Sequence, residues 1–308
     1  MLGLFLTSDA PKAVSASSVA SLVKKHALEV LDRGYSVIER AIPESICRET
    51  IAAFRRFETA NDAVFSENRN ADGHYPRIIN LHLAFPDLLQ LFIKNTVWLQ
   101  VQDLLFGAQT ALYTSIFYEI GSQQPLHRDT PVFSTRPEYL YFGSTVYLEP
   151  ADEDNGCLQV LEGGHKLPEL DRAAMAVRRY GSVEKVPSLD NDLWIEYQDT
   201  VVAQSVANGL EIKKLYVGPG DTLIWHPQLP HGGTAIKDLH RTRFSWVIHT
   251  TPVGVPVYHQ NVFFNPKGSF SEKASWDYRE IDGRYIADFR HGVAFDSRTY
   301  SLDHFHPI

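Results

Sequence analysis

Cysteine is scarce: Cys47 and Cys157 are the two present in 308 residues, and no CxxC pair exists. One bridge at most is open to such a chain, so a disulfide-stapled scaffold is excluded and a reducing cytoplasm is the expected setting. Long apolar runs are missing too. The opening MLGLFLTSDAPK holds a short apolar run from Leu2 to Leu6 with no basic residues before it. That is too short for a signal peptide, and no stretch approaches the length of a membrane span. Positive charge is in deficit, with a formal net charge of −8. No global basic field therefore argues for nucleic acid or an anionic membrane as partner. The doublets Arg178-Arg179 and Lys213-Lys214 read as solvated faces. There is no internal repeat, no low-complexity tract and no linker rich in proline, glycine and serine, which favours one unit over 1–308.

Several catalytic signatures are absent as well: GxSxG, the Walker A loop, GxGxxG and HExxH. DEDNG, from Asp152 to Gly156, resembles the start of a calcium loop. Its glycine falls one position early and no glutamate follows at the twelfth, so it reads as an Asx-rich hairpin turn.

What is present divides in two. Between about 18 and 106 the apolar spacing is helical. Leu22, Val23, Ala27, Val30 and Leu31 share a face and Gly34 stops that helix. YSVIER then reads as a strand. Ile46, Ile51 and Phe54 mark a second helix behind Pro43, and the stretch from Pro86 a third. From about 110 to 252 the texture is β-branched and aromatic, with strands in ALYTSIFYEI, YLYFGSTVYLEP, CLQVLEGGH and LYVGPGDTLIWHP. RTRFSWVIHTTP alternates: Arg241, Arg243, Ser245, Val247 and His249 on one face, Thr242, Phe244, Trp246 and Ile248 on the other. Many strands with turns between them predict a sandwich or barrel. An aromatic-rich tail, 253–308, follows. Ser15 to Ser21 reads as an exposed lead-in.

Within PLHRDTPVF, His127 and Asp129 stand two apart, so an extended strand points both at one spot. With 13 histidines in the chain, a triplet of this kind arises about once by accident. A third ligand is needed. GDTLIWHPQLPHGG offers His226 and His231, the latter just past a strand. Twelve residues further on, Arg243 lies on a strand face, where an inward arginine needs an anion.

HRD at 127, EDNGCLQVLEGGHK at 153–166, GPGDTLIWHPQLPHGG at 218–233 and the arginine of RTRFSWVIH resemble, in order and spacing, the phytanoyl-CoA dioxygenase family. LDRGYSVIERAIPESIC resembles that family's opening strand and helix. The likeness runs from about Leu31 to Thr251. It implies a mainly β protein with flanking helices around a double-stranded β-helix (jelly-roll, cupin-like) core. It also implies Fe(II), 2-oxoglutarate as cosubstrate, and O2. Two imidazoles and one carboxylate form the facial triad of non-haem iron oxygenases. By the resemblance, His127, Asp129 and His231 are the iron ligands. Arg243 takes the distal carboxylate of 2-oxoglutarate, with Arg241 its competitor on the same face, and Arg77 is a further basic residue reaching the cosubstrate. Many members carry a hydroxyl residue two after the distal histidine; here Gly233 stands there, so Thr145, Tyr113 or Ser245 would supply that contact.

The expected reaction is hydroxylation, or another oxidation, of an unactivated C–H bond, with succinate and CO2 as co-products. Segments 171–209 and 258–300 are expected to cover the mouth of the site. They carry Tyr180, Trp194, Tyr197, Phe263, Phe264, Trp276 and Tyr278. Trp194, Tyr197 and Phe263 are the substrate candidates, against packing of the lid on itself. The partner expected is a small molecule, such as a metabolite or natural-product intermediate. His226, His165, Cys157 and Trp246 read as structural, and His304 and His306 as a solvated tail. Two rival readings remain: a barrel that binds metal or ligand without turnover, and an oxygenase acting on a protein.

Overall fold

A computed structural model describes residues 1–75, 77–270, 277–288, 292–296 and 298–307. Ten strands frame the site. They are β1 (Tyr35–Ile38), β2 (Ile78–Ile79), β3 (Thr110–Tyr118), β4 (Ser134–Thr135), β5 (Phe142–Tyr147), β6 (Leu158–Leu161), β7 (Ile212–Leu215), β8 (Thr222–Trp225), β9 (His231–Gly233) and β10 (Ser245–Pro252). β1, β8, β5, β10, β3 and β2 run side by side in a large sheet. A small antiparallel sheet holds β7, β6 and β9, and β4 pairs with Val257–Tyr258. One cavity is lined from both the large sheet and the small one. This is the jelly-roll arrangement, with the cavity between the sheets.

Side-chain alternation explains the two faces of the large sheet. Trp246 and Ile248 of β10, Leu112 and Phe117 of β3, Phe142 and Val146 of β5 and Ile224 of β8 are buried in the main core. Helices Ser21–Arg33, Glu44–Ala60 and Thr96–Phe106 supply the other half of that core through Val23, Ala27, Val30, Phe54, Phe57, Trp98 and Leu99. An antiparallel sheet with helices on one face leaves its second face free for something else. That second face carries Ile116, Tyr118, Thr145, Tyr147, Trp225, Val247 and His249, which wall the cavity.

Two local devices shape it. The β10–β3 ladder slips between His249 and Thr250: His249 pairs with Thr114 and Thr250 with Leu112, so Tyr113 is left over as a bulge. Bulges of this kind re-aim neighbouring side chains. Beside it, Gly143 sits between His249 and Trp225 across three strands. A Cβ there would stand 2.2 Å from the Trp225 indole, so only glycine lets that ring lie over β5.

The chain departs from the sequence expectations in three places. A short helix, Ala10–Ala16, occupies part of the supposed lead-in, and Asn191–Ala207 is a helix that the pattern does not announce. The tail extends the large sheet: Arg284–Ala287 pairs with β3 and Val293–Phe295 with β2, so these segments lie along an edge and do not cover the mouth. Trp276 lies outside the described residues.

Candidate metal centre

His127 and His231 are fastened to each other through the backbone. The amide of His127 donates to the His231 carbonyl at 2.8 Å, and the amide of His231 donates back at 2.9 Å. Their rings come to 4.6 Å between centroids. The close approach of the 122–125 loop makes it possible. A Cβ on Gly232 would stand 2.6 Å from the Gln124 carbonyl oxygen, and one on Gly233 would stand 2.7 Å from Ser122 Oγ. Gly233 is therefore dictated by backbone crowding, and any hydroxyl must come from another element.

Each imidazole has its tautomer set by its own chain. His127 Nδ1 lies 2.8 Å from the Pro125 carbonyl oxygen, and His231 Nδ1 lies 3.0 Å from that of Leu229. A carbonyl only accepts, so Nδ1 carries the proton in both rings. Both Nε2 atoms then face the Asp129 carboxylate, at 3.2 Å from Oδ1 and 3.4 Å from Oδ2. The three ligand atoms lie within 4.8 Å of one another and all three residues are buried. Lone pairs converging on a buried carboxylate need a cation among them. Two imidazoles and one carboxylate suit iron of the non-haem type, and the backbone hydrogen bond at Nδ1 is the usual outer partner of a ligating histidine.

The segment between the ligands is clamped. Gln198, on helix Asn191–Ala207, accepts from the Arg128 amide at 2.8 Å and donates to the Arg128 carbonyl at 2.9 Å. The Arg128 guanidinium is fully buried and donates to the Gly164 carbonyl at 2.9 Å. Trp225 Nε1 reaches Asp129 Oδ2 at 3.4 Å. None of these supports was legible in the sequence. The one available signal is the charge itself: an arginine set between two residues aimed at one spot must find partners of its own.

Arg243 lines the cavity and is 3% exposed. It donates to the Gly156 carbonyl at 2.7 Å and to Ser245 Oγ at 3.3 Å, while its buried Nε has no partner among the described residues. Among the described residues no carboxylate pairs with it, so a buried cation faces a cavity with its charge uncompensated. Arg241 does otherwise. It grips Asp152 through two hydrogen bonds of 3.0 and 2.8 Å and lies outside the cavity wall. β10 begins at Ser245; Arg243, two residues ahead of it, still enters the cavity wall, whereas Arg241, four residues ahead, does not. Arg77 is also displaced from the expectation: it is exposed and pairs with Asp296 at 2.8 Å.

Thr145 lines the cavity and Ser245 braces Arg243, whereas Tyr113, the bulge residue, packs on Phe133 outside the wall. Of the three substrate candidates, Trp194 approaches the cluster, 5.9 Å from the His127 ring. Tyr197 and Phe263 are fully buried and meet edge to face at 5.1 Å, with Met175, Leu193, Val201 and Phe264 around them. They pack the lid on itself, which corrects their assignment to the substrate. His226 and His165 pair with each other at 4.9 Å, away from the cluster. Among the wall residues to which the sequence assigns no role is a histidine. His249 lines the cavity, 4% exposed, stacked on Phe133 at 4.2 Å. Burial pushes its imidazole down to about 4, so the ring is neutral at pH 7.

A jelly roll with this donor set and an uncompensated arginine beside it defines the class of non-haem Fe(II), 2-oxoglutarate-dependent enzymes. The chain belongs to the phytanoyl-CoA dioxygenase family, whose model matches residues 31–243. Among solved structures it is similar in fold to the non-haem α-ketoglutarate-dependent carbocyclase SnoK from nogalamycin biosynthesis, at 15% identity and TM-score 0.56, over 80% of this chain and 88% of that one. The epimerase SnoN from the same biosynthesis gives 14% and 0.56, over 86% and 97%. EctD from S. alaskensis with bound Fe gives 17% and 0.55, over 87% and 88%. No curated protein matches the chain in sequence.

Proposed function

We propose that the protein couples oxidative decarboxylation of 2-oxoglutarate to oxidation of an unactivated C–H bond in a small-molecule substrate, with succinate and CO2 as co-products. The observation that carries this reading is the pair of Nδ1-protonated imidazoles aiming both Nε2 atoms at Asp129. His127, Asp129 and His231 would hold the Fe(II), which when bound supplies the activation of O2. Arg243 binds the distal carboxylate of the cosubstrate, braced by Ser245 and the Gly156 carbonyl. Thr145 and Ser122 present hydroxyls in the same wall. Tyr147, Val247, Leu158 and Ile116 exclude water from the keto acid's carbon chain.

A non-catalytic metal-binding barrel has no use for a buried, unpaired arginine, because burying that charge is costly without a partner anion. The lid favours a small molecule over a protein chain. Helix Asn191–Ala207 is locked to the segment between the metal ligands by Gln198 and brings Trp194 over His127. Both cysteines are free and buried, in keeping with a cytoplasmic setting. Among the described residues no helix is long and apolar enough to cross a membrane. The test is succinate formation from 2-oxoglutarate with Fe(II) and O2, screened across small-molecule substrates. Arg243→Ala is expected to abolish it. Succinate formed equally well by Arg243→Ala would contradict the assignment.

A further inference from the structure

β10 runs the length of the cavity floor. Arg243 stands at one end, its Nη2 at Ser245; Val247 follows, and His249 is the last wall residue of the strand. His249 sits level with Trp225 across Gly143, beside the metal cluster. Among the described residues its ring has no hydrogen-bond partner, and Nδ1 is buried. A buried polar atom left unpaired is destabilising, so its retention on a cavity wall asks for a ligand. The bulge at Tyr113 follows directly after this residue and marks the place where the sheet is re-aimed.

We infer that His249 positions the cosubstrate by a hydrogen bond to its 2-oxo-acid end, at the opposite end of the cavity from Arg243. This rests on the reading of the site given above. The length of the cavity supports it. Four residues of extended strand, from Ser245 to His249, cover about 13 Å. A five-carbon dicarboxylate measures about 5 Å between its terminal carboxyl carbons. With one hydrogen bond of about 2.8 Å at each end it bridges on the order of 12 Å between the groups that hold it. A neutral imidazole has one N–H to donate to the metal-end carboxylate, while the guanidinium takes the other. Phe133, stacked on the ring, fixes its plane.

The test is anaerobic equilibrium binding of 2-oxoglutarate and of succinate to the Fe(II)-loaded protein, followed by visible absorption and calorimetry. Succinate is one carbon shorter and, anchored at Arg243, falls short of His249. His249→Phe keeps the aromatic stack and removes both nitrogens. It is expected to weaken 2-oxoglutarate roughly tenfold and shift the absorption maximum, with succinate affinity changed less than about twofold. His249→Gln, which restores a donor, recovers part of the loss, and Arg243→Ala weakens both ligands. His249→Phe is also expected to melt no lower than wild type, because it removes an unpaired buried polar atom. Unchanged 2-oxoglutarate affinity and spectrum in His249→Phe, with wild type binding normally, overturns this assignment alone. Failure of the wild type to bind 2-oxoglutarate overturns the reading of the site and this inference with it.

Discussion

Gln198 holds both backbone groups of Arg128, accepting from the amide at 2.8 Å and donating to the carbonyl at 2.9 Å. Arg128 separates two of the proposed ligands, so the lid helix and the metal centre are one mechanical unit. Gln198→Leu keeps the size and removes both bonds. It leaves a buried amide and a buried carbonyl unpaired, which costs about 2–4 kcal/mol. The variant is expected to melt lower and to bind Fe(II) more weakly, by calorimetry and metal titration. Weaker stability with unchanged Fe(II) affinity would show that the clamp serves the lid alone.

The two arginines on one sequence face separate cleanly in the structure. Arg243 is buried with an unpartnered Nε, and Arg241 is spent on Asp152. Arg243→Ala is expected to weaken 2-oxoglutarate by about a hundredfold or more, the scale of a charge-assisted pair in a buried site. Arg241→Ala is expected to change it less than about twofold, since surface pairs contribute little. Equal effects in a binding isotherm would contradict the placement.

Gly143 makes room for Trp225. Gly143→Ala puts a methyl within 2.2 to 2.5 Å of the indole. Overpacking of this kind costs about 1–3 kcal/mol, and it lifts Trp225 Nε1 from Asp129. The expected outcome is a lower melting temperature and an altered tryptophan emission spectrum. An unchanged spectrum would mean that the ring has another resting place.

His82 gives the chain a pH dependence unconnected with the metal. Burial pushes its imidazole down to about 3, and the ring bonds to Ser115 Oγ at 2.7 Å. Between that value and the ordinary histidine value of 6.5 the unfolded chain takes up a proton that the folded chain refuses. Stability contributed by neutral His82 is therefore full above about pH 6.5 and falls as the pH drops toward 3, by a few kcal/mol in all. Denaturant titrations at several pH values should show a shallower acid decline for His82→Phe. Parallel declines would refute the assignment.

The sequence foretold the parts of the site that obey strand periodicity. Val247 and His249 fall on the cavity side of β10, and Arg243, two residues ahead of the strand, enters the same wall; His127 and Asp129 converge as well, although His127 forms only an isolated bridge and Asp129 lies in a bend. Periodicity failed where the strand ended or slipped. Arg241 lies four residues ahead of β10 and turns to Asp152, and the bulge takes Tyr113 out of the wall. Asn191–Ala207 shows no helical stripe because its apolar residues point several ways: Leu193, Tyr197 and Val201 are buried, while Ile195 and Val206 are exposed. The Gln198 clamp and the place of the tail strands depend on long-range pairing, which no local pattern carries. Tyr197 and Phe263 looked like a substrate wall because aromatic enrichment is the same whether rings meet a ligand or one another.

The central claim is that three side chains and one arginine form a single binding site for Fe(II) and 2-oxoglutarate. The most direct test is anaerobic titration of the metal-free protein with Fe(II) and then 2-oxoglutarate, watched for the weak visible metal-to-ligand charge-transfer band. The band is expected in the wild type, lost in Asp129→Ala and His231→Ala, and weakened in Arg243→Ala. No band, with neither Fe(II) nor 2-oxoglutarate bound, would contradict the account.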